Sequence, residues 1–156
     1  ESVVKKLNEV IYDAATIDKY ITAVFSVLDP EKNELVTVNA GHNPTYLLRR
    51  DKTLENLTTG GIPLGMIRQA PPYQSTKFVL KPGDSVLYYT DGVTEAMNEK
   101  EEQYDDLRPL TTILSSSKAH TARDFIDELI DDVNDFTGAT PQSDDITALY
   151  LLRMVG

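Results

Sequence analysis

Cysteine is absent from this 156-residue chain, and only two histidines, His42 and His120, occur in it. Without cysteine there are no disulfides and no thiolate ligands, and two histidines leave a structural zinc site short of its usual donors. A cysteine-free chain suits a reducing compartment, so a cytoplasmic location is expected. No apolar run approaches the ~20 residues that cross a bilayer, and no secretory or lipidation motif is recognisable, so no membrane contact by this domain is expected. Positive charge is scarce as well: 15 Lys and Arg against 25 Asp and Glu give a formal net charge of −10. That balance argues against nucleic acid as a partner, because phosphate backbones require a basic face. It is also awkward for chemistry on phosphates unless bound cations reverse the local sign. Most of the excess reads simply as a solvated surface.

What is present suits a globular chain, with 40% hydrophobic and 26% charged residues. With no internal repeat, low-complexity tract or linker, residues 1–156 are expected to form a single domain. Val3, Val4, Leu7, Val10, Ile11 and Ala14 recur at helical spacing and predict a helix over 2–15, with Ser2 as N-cap. Strands are expected at 22–28 and 35–40 around the turn-rich Asp29-Pro30-Glu31-Lys32-Asn33-Glu34, then at 45–49 and 54–58. Residues 60–72 read as loop, and strands at 76–80 and 85–90 are expected to pair across Lys81-Pro82-Gly83-Asp84. A short helix should follow through Glu95, and another irregular one, broken at Pro109, over 106–114. The clearest helix covers 120–137, where Phe125, Ile126, Leu129, Ile130, Val133 and Phe136 make one stripe, Thr121 and Asp124 a cap, and Gly138 a stop.

The most informative stretch is Tyr88-Tyr89-Thr90-Asp91-Gly92-Val93-Thr94-Glu95-Ala96-Met97-Asn98. It sets a carboxylate, Asp91, where a β-branched and aromatic strand ends, and the glycine after it permits an unusual backbone angle. An acid there must be solvated, paired or bound to a cation, yet Asp-Gly is equally the signature of a hairpin turn. Gln142-Ser143-Asp144-Asp145 directly precedes a second strand pattern, Ile146-Thr147-Ala148-Leu149-Tyr150-Leu151-Leu152. Adjacent acids at a strand start are electrostatically awkward unless a cation sits there, and short carboxylates are what hard divalent ions prefer.

Five segments in order, Ala40-Gly41-His42-Asn43-Pro44, Pro63-Leu64-Gly65, Lys81-Pro82-Gly83-Asp84, residues 88–98 and Asp144-Asp145-Ile146-Thr147, resemble a known family. It is the bacterial metal-dependent (PPM-type) serine/threonine phosphatases of the stage II sporulation protein E class, and the resemblance covers roughly residues 21–153. What the resemblance implies is an α+β fold, a two-sheet antiparallel β-sandwich flanked by helices. It further implies two Mn2+ or Mg2+ ions at one end of the complete domain. The expected reaction is hydrolysis of phosphoserine or phosphothreonine on a regulatory protein, such as an anti-sigma-factor antagonist, by a metal-activated water, so no side-chain nucleophile is needed. Carried over, Asp91 binds one metal and Asp144 the other, with Asp145 as second choice. Gly92, His42 and Asn43 would line the site; for His42, a general acid is weighed against a residue of a local turn, which the family motif favours. His120 reads as surface, and Glu95 as an exposed helix acid rather than a support for the site.

Two departures qualify the match. The family's first motif, roughly Gly-Asp-x-x-Gly-x-Gly, whose Asp bridges both metals, is missing, and Gly83-Asp84 is not that motif. The chain is therefore expected to be a C-terminal portion lacking the first strands of the sandwich, inactive by itself if the bridging acid is indispensable, with self-association through the incomplete sheet. The other departure is Tyr104-Asp105-Asp106, where the family places a glycine after the aromatic. The alternatives are a non-catalytic pseudophosphatase that binds a partner, and a structural β-sandwich with coincidental acids.

Overall fold

The computed structural model describes residues 1–15, 19–108 and 110–155, leaving out the side chains of 106 and 107. The elements run α1 (Ser2–Ala14), β1 (Ala23–Asp29), β2 (Glu34–Ala40), β3 (Thr45–Leu48), β4 (Leu54–Leu57), β5 (Gly60–Gly61), β6 (Thr76–Val79) and β7 (Ser85–Tyr89). Then follow α2 (Asp91–Thr94), α3 (Tyr104–Leu107), α4 (Leu110–Ser116), α5 (Ala122–Thr137) and β8 (Ala148–Leu152). The class is α+β with two mainly antiparallel sheets, as expected. Two compact units emerge, one of Glu1–Pro44 with Leu57–Leu80 and one of Thr45–Asn56 with Lys81–Gly156.

In the first unit, β1 and β2 pair along their whole length, Ala23 opposite Ala40 and Asp29 opposite Glu34. The Asp29 carboxylate accepts the N–H groups of Glu31 and Lys32, closing the connection between them. The other edge of β2 takes β6 in antiparallel and the two residues of β5 in parallel pairing. Helix α1 covers this sheet with only part of the stripe read from the sequence, through Val4 and Ile11. Val4 is buried, whereas Val3 and Val10 are 68% and 52% exposed. The position one turn after Val4 is Asn8, only 1% exposed, and its amide explains the choice. It donates to the carbonyls of Ile67 and Arg68 and accepts from Gly65 N–H and the Tyr73 hydroxyl, satisfying loop backbone that would otherwise be buried unpaired. The helix is preceded by Glu1, so Ser2 is not its cap, and no side chain caps that end.

The second unit is built on a sheet in the order β4-β3-β7-β8. Helix α5 packs its predicted stripe here, with Phe125, Leu129 and Val133 buried beside Leu87, Tyr89 and Val93. Phe125 stacks on Tyr150 at 4.1 Å, and Tyr46 on Tyr89 at 5.8 Å between ring centres. The expected cap is present as a reciprocal pair: Thr121 Oγ1 accepts Asp124 N–H and the Asp124 carboxylate accepts Thr121 N–H. Tyr104, fully buried, donates its hydroxyl to Asp132 at 2.6 Å, and Arg108 bridges Asp132 and Asp135, tying α3 to α5. Pro109, read as the irregularity here, lies outside the described residues.

One pairing differs from the expectation. Strands β6 and β7 do not form a hairpin: β6 pairs with β2, and β7 lies between β3 and β8. The turn between them is nevertheless tightly held. Asp84, 1% exposed, accepts Lys81 N–H, Arg50 N–H and the Arg49 guanidinium at 2.9–3.1 Å. Turn chemistry at 81–84 therefore serves a change of sheet, not a return along the same one.

Candidate functional site

Strand β7 ends two residues before Asp91, and β8 begins three residues after Asp145. Because Tyr89 pairs with Ala148, the sheet register alone carries the two acidic segments to the same strand ends. Thr90 then continues the pairing beyond the strands. Its N–H donates to Thr147 O, its hydroxyl accepts Thr147 N–H, and that hydroxyl donates to Asp145 O, all at 2.9–3.0 Å. One threonine thus fixes the backbone that enters α2 against the backbone that carries Asp145.

Gly92 completes this seam, for a reason other than the one read from the sequence. Its φ is not among the positive values of the chain, so no unusual backbone angle is involved. A Cβ on it would stand 2.5 Å from Asp145 O and 2.9 Å from Asp145 C, so only glycine lets the two backbones touch. The residue is buried, while Asp91, Asp144 and Asp145 on either side of the seam are exposed.

The carboxylates themselves make few contacts. Asp91 Oδ1 accepts Gly92 N–H at 3.1 Å, and Asp144 Oδ1 accepts Asp145 N–H at 2.7 Å. Gln142 steadies the second segment by donating its amide to Asp144 O. Among the described residues no basic side chain forms an ion pair with Asp91, Asp144 or Asp145. In donor type this set fits a hard divalent cation: short, exposed, all-oxygen and uncompensated. Among the described residues no group of three or more His, Cys, Asp or Glu converges as a closed cage. An ion that keeps most of its waters, as Mg2+ does, suits so open an arrangement.

His42 and Asn43 belong to the first unit, and there they build a turn. The buried Asn39 side chain organises it, accepting His42 N–H at 2.7 Å and donating to the carbonyls of His42 and Asn43. The His42 ring shares a 3.0 Å hydrogen bond with Thr22 Oγ1. Gly41, at φ 69°, packs against Pro63, which accounts for the glycine in the first of the quoted segments. His120 is exposed just before α5, and Glu95 is exposed at the end of α2. Sequence reasoning missed Thr90, Thr147 and Asn39; the signal for the first two was a threonine at each acidic strand end.

Comparison with known proteins places these observations in a wider set. The family description "Stage II sporulation protein E (SpoIIE)" matches residues 1–153. The phosphoserine phosphatase RsbU of Bacillus subtilis is 29% identical over 156 residues, covering 98% of this chain and 45% of RsbU. The chain spans less than half the length of the curated relatives it matches. Among solved structures, the SiaA-PP2C domain of Pseudomonas aeruginosa superposes with a TM-score of 0.81 at 17% identity, over 99% of this chain and 60% of that one. The manganese-presoaked phosphatase domain of SpoIIE from Bacillus subtilis gives 0.71 at 20% identity, over 99% and 66%. The fold is that of these PP2C domains.

Proposed function

The chain belongs to the stage II sporulation protein E family, and on that premise we propose that it takes part in hydrolysing phosphoserine or phosphothreonine on a regulatory protein, with Mn2+ or Mg2+ as cofactor. The observation that carries the reading is the seam of Thr90 and Gly92, which holds Asp91 and the Asp144-Asp145 pair at neighbouring strand ends. Asp91 and Asp144 are assigned to hold divalent ions, and Asp145 is a second-choice ligand. A bound divalent ion supplies Lewis acidity toward the phosphoryl oxygens and the attacking water. The chain's own residues do the positioning. Three exposed carboxylates repel a phosphate dianion when bare, so substrate admission depends on cation loading at that spot. The neutral pins, a threonine hydroxyl and a glycine, hold the acids without consuming their charge. His42 and Asn43 serve their turn rather than proton transfer, in keeping with the Asn39 contacts.

The test is Mn2+-dependent hydrolysis of para-nitrophenyl phosphate and of a phosphoserine peptide, with calorimetric Mn2+ titration, on this chain and on Asp91→Asn. Turnover and affinity that fall about 100-fold or more in the variant match the assignment. Unchanged values in the variant remove Asp91 from the site. Mn2+ binding without turnover favours the second reading, a non-catalytic module that holds a partner. That reading draws on the missing convergence of three acids among the described residues.

A further inference from the structure

The register that gathers acids at one end of the β4-β3-β7-β8 sheet gathers bases at the other. Leu48, Ser85 and Leu152 are paired neighbours there, so Arg49 and Arg50 after β3, Lys81 before β7 and Arg153 after β8 leave the sheet side by side. Lys52 shares a turn with Arg49, to whose carbonyl its N–H donates, and its ammonium reaches Ser117 O, next to Lys118. At about 3.3 Å per residue along β7, this pole lies roughly 20 Å from Asp91.

Buried Asp84 is the hub of the pole. Its carboxylate accepts Arg50 N–H, Lys81 N–H and the Arg49 guanidinium, and its carbonyl accepts Arg153 N–H at 2.9 Å. Gly83 N–H donates to Arg153 O at 2.8 Å, and a Cβ on Gly83 would meet the Arg50 stem at 3.0–3.3 Å. One inward acid thus fixes the backbones of four basic residues, while its charge is taken up by Arg49 alone, which also pairs with Glu55. Of the other acids there, Asp51 accepts Thr53 N–H in its own turn and Glu128 accepts the Ser117 hydroxyl. Arg50, Lys52, Lys81 and Lys118 are exposed, and none of them forms an ion pair among the described residues. The pole is therefore positive in a chain whose formal net charge is −10. Crowding like charges costs repulsion, which an acidic partner relieves.

The overall charge restricts what that partner is. An anionic bilayer or a nucleic acid extends well beyond the Debye length of about 8 Å and would meet the acidic remainder of the chain as well as the pole. A short segment meets the pole alone, and forked guanidinium and ammonium donors on turns match carboxylates. We propose that this pole docks a short carboxylate-rich segment of a partner protein, with Arg50 and Lys81 as its main contacts. Such docking leaves the acidic end of the sheet open and requires nothing of the phosphatase reading above.

The experiment follows the anisotropy of a fluorescein-labelled decapeptide of alternating Asp and Glu on titration with the chain, beside a decapeptide of alternating Lys and Ser and vesicles of phosphatidylserine and phosphatidylcholine. Arg50→Gln/Lys81→Gln is compared with Lys52→Gln/Lys118→Gln on the same pole and with Lys100→Gln/Arg123→Gln, which removes the same charge elsewhere. The acidic peptide alone should bind saturably, about tenfold more weakly to R50Q/K81Q and less than about twofold more weakly to K100Q/R123Q. Binding should also weaken between 50 and 200 mM salt, and both pole variants should keep the parent's Tm and its hydrolysis of para-nitrophenyl phosphate. Where R50Q/K81Q alters folding, a loss of about threefold or more in K52Q/K118Q decides in favour and no loss decides against. No binding of the acidic peptide by the unmodified chain, or equal weakening by all three variants, overturns the docking site. Capture by the vesicles without peptide binding, or dimers that R50Q/K81Q dissolves in place of peptide binding, overturns it too.

Discussion

Gly92→Ala tests whether close backbone contact, rather than backbone flexibility, is what the site requires of this position. The new methyl would lie 2.5 Å from Asp145 O, 2.9 Å from Asp145 C and 3.3 Å from Ile146 N. The first of these is roughly 1 Å short of ordinary van der Waals contact, and every group it meets is backbone, which cannot rotate away. Overpacking of this kind costs about 1–3 kcal/mol, against which alanine's better helix propensity returns about 0.8. The net loss of about 0.2–2 kcal/mol should lower Tm by up to about 8 °C in a chain of this size. The functional effect should be far larger. Relief requires the Asp145 segment to move away from α2, which stretches the Thr90 hydroxyl bonds and separates Asp91 from Asp144 and Asp145. A misplacement near 1 Å is worth about 100-fold in rate. The assays are thermal unfolding and Mn2+-dependent hydrolysis of para-nitrophenyl phosphate. A variant that melts within about 1 °C of the parent and keeps its kcat/KM would show that the two backbones are not in contact where we place them.

Three further outcomes are expected. Thr90→Val removes both hydroxyl bonds across the seam and should cost about 1–2 kcal/mol with loss of turnover, while Thr90→Ser restores both; a silent valine would exclude the pinning role. Asn8→Ala strips four hydrogen bonds from the 65–73 region and should cost about 2–4 kcal/mol in urea unfolding, against the small effect expected of an exposed helix position. Asp84→Asn should cost about 3 kcal/mol at neutral pH, the lower end for a broken buried pair because Arg49 retains some solvent. Burial by itself would raise the Asp84 pKa, but the Lys81 and Arg50 N–H groups and the Arg49 guanidinium outweigh it and hold the carboxyl below the ordinary range. Its contribution is therefore complete above the unfolded pKa of about 3.9 and lost as pH falls through the lower folded value. Stability of the parent should consequently fall more steeply below pH 4 than that of D84N, and parallel acid limbs would refute the assignment.

Local structure was largely legible in the sequence, and long-range partnership was not. The α5 stripe and its cap are local patterns, and Phe125, Leu129, Val133, Thr121 and Asp124 behave as their spacing requires. On α1 the same periodicity argument placed Val4 and Ile11 correctly but drew the stripe too wide and left out Asn8. An apolar stripe and a face containing one asparagine are indistinguishable until the loop that needs the amide, nearly sixty residues away, is in place. The supposed hairpin at 81–84 failed for a related reason. A Pro-Gly-Asp turn reverses a chain regardless of which strands lie beside it, and here β6 neighbours β2 while β7 lies between β3 and β8. Gly92 was identified as important and misexplained, because a glycine in a helix's first turn does not announce which distant backbone it touches.

The placement of the acids follows from this contrast. Strand pairing specifies which residues face each other to within one position, since a slip by one residue reverses every side chain. With Tyr89 opposite Ala148, the chain needs only two residues beyond β7 and three before β8 to bring acidic segments together, and the Thr90 bonds extend the register across that gap. The buried Val86 and Leu87 of β7 make any slip of that strand costly, so the hydrophobic core governs the separation of exposed carboxylates that take no part in it. This also explains why the pins are neutral. A lysine or arginine at the seam would hold the acids equally well, but it would occupy the carboxylates and remove the uncompensated negative charge that the proposed divalent ion requires. Threonine and glycine secure the geometry and leave the charge free.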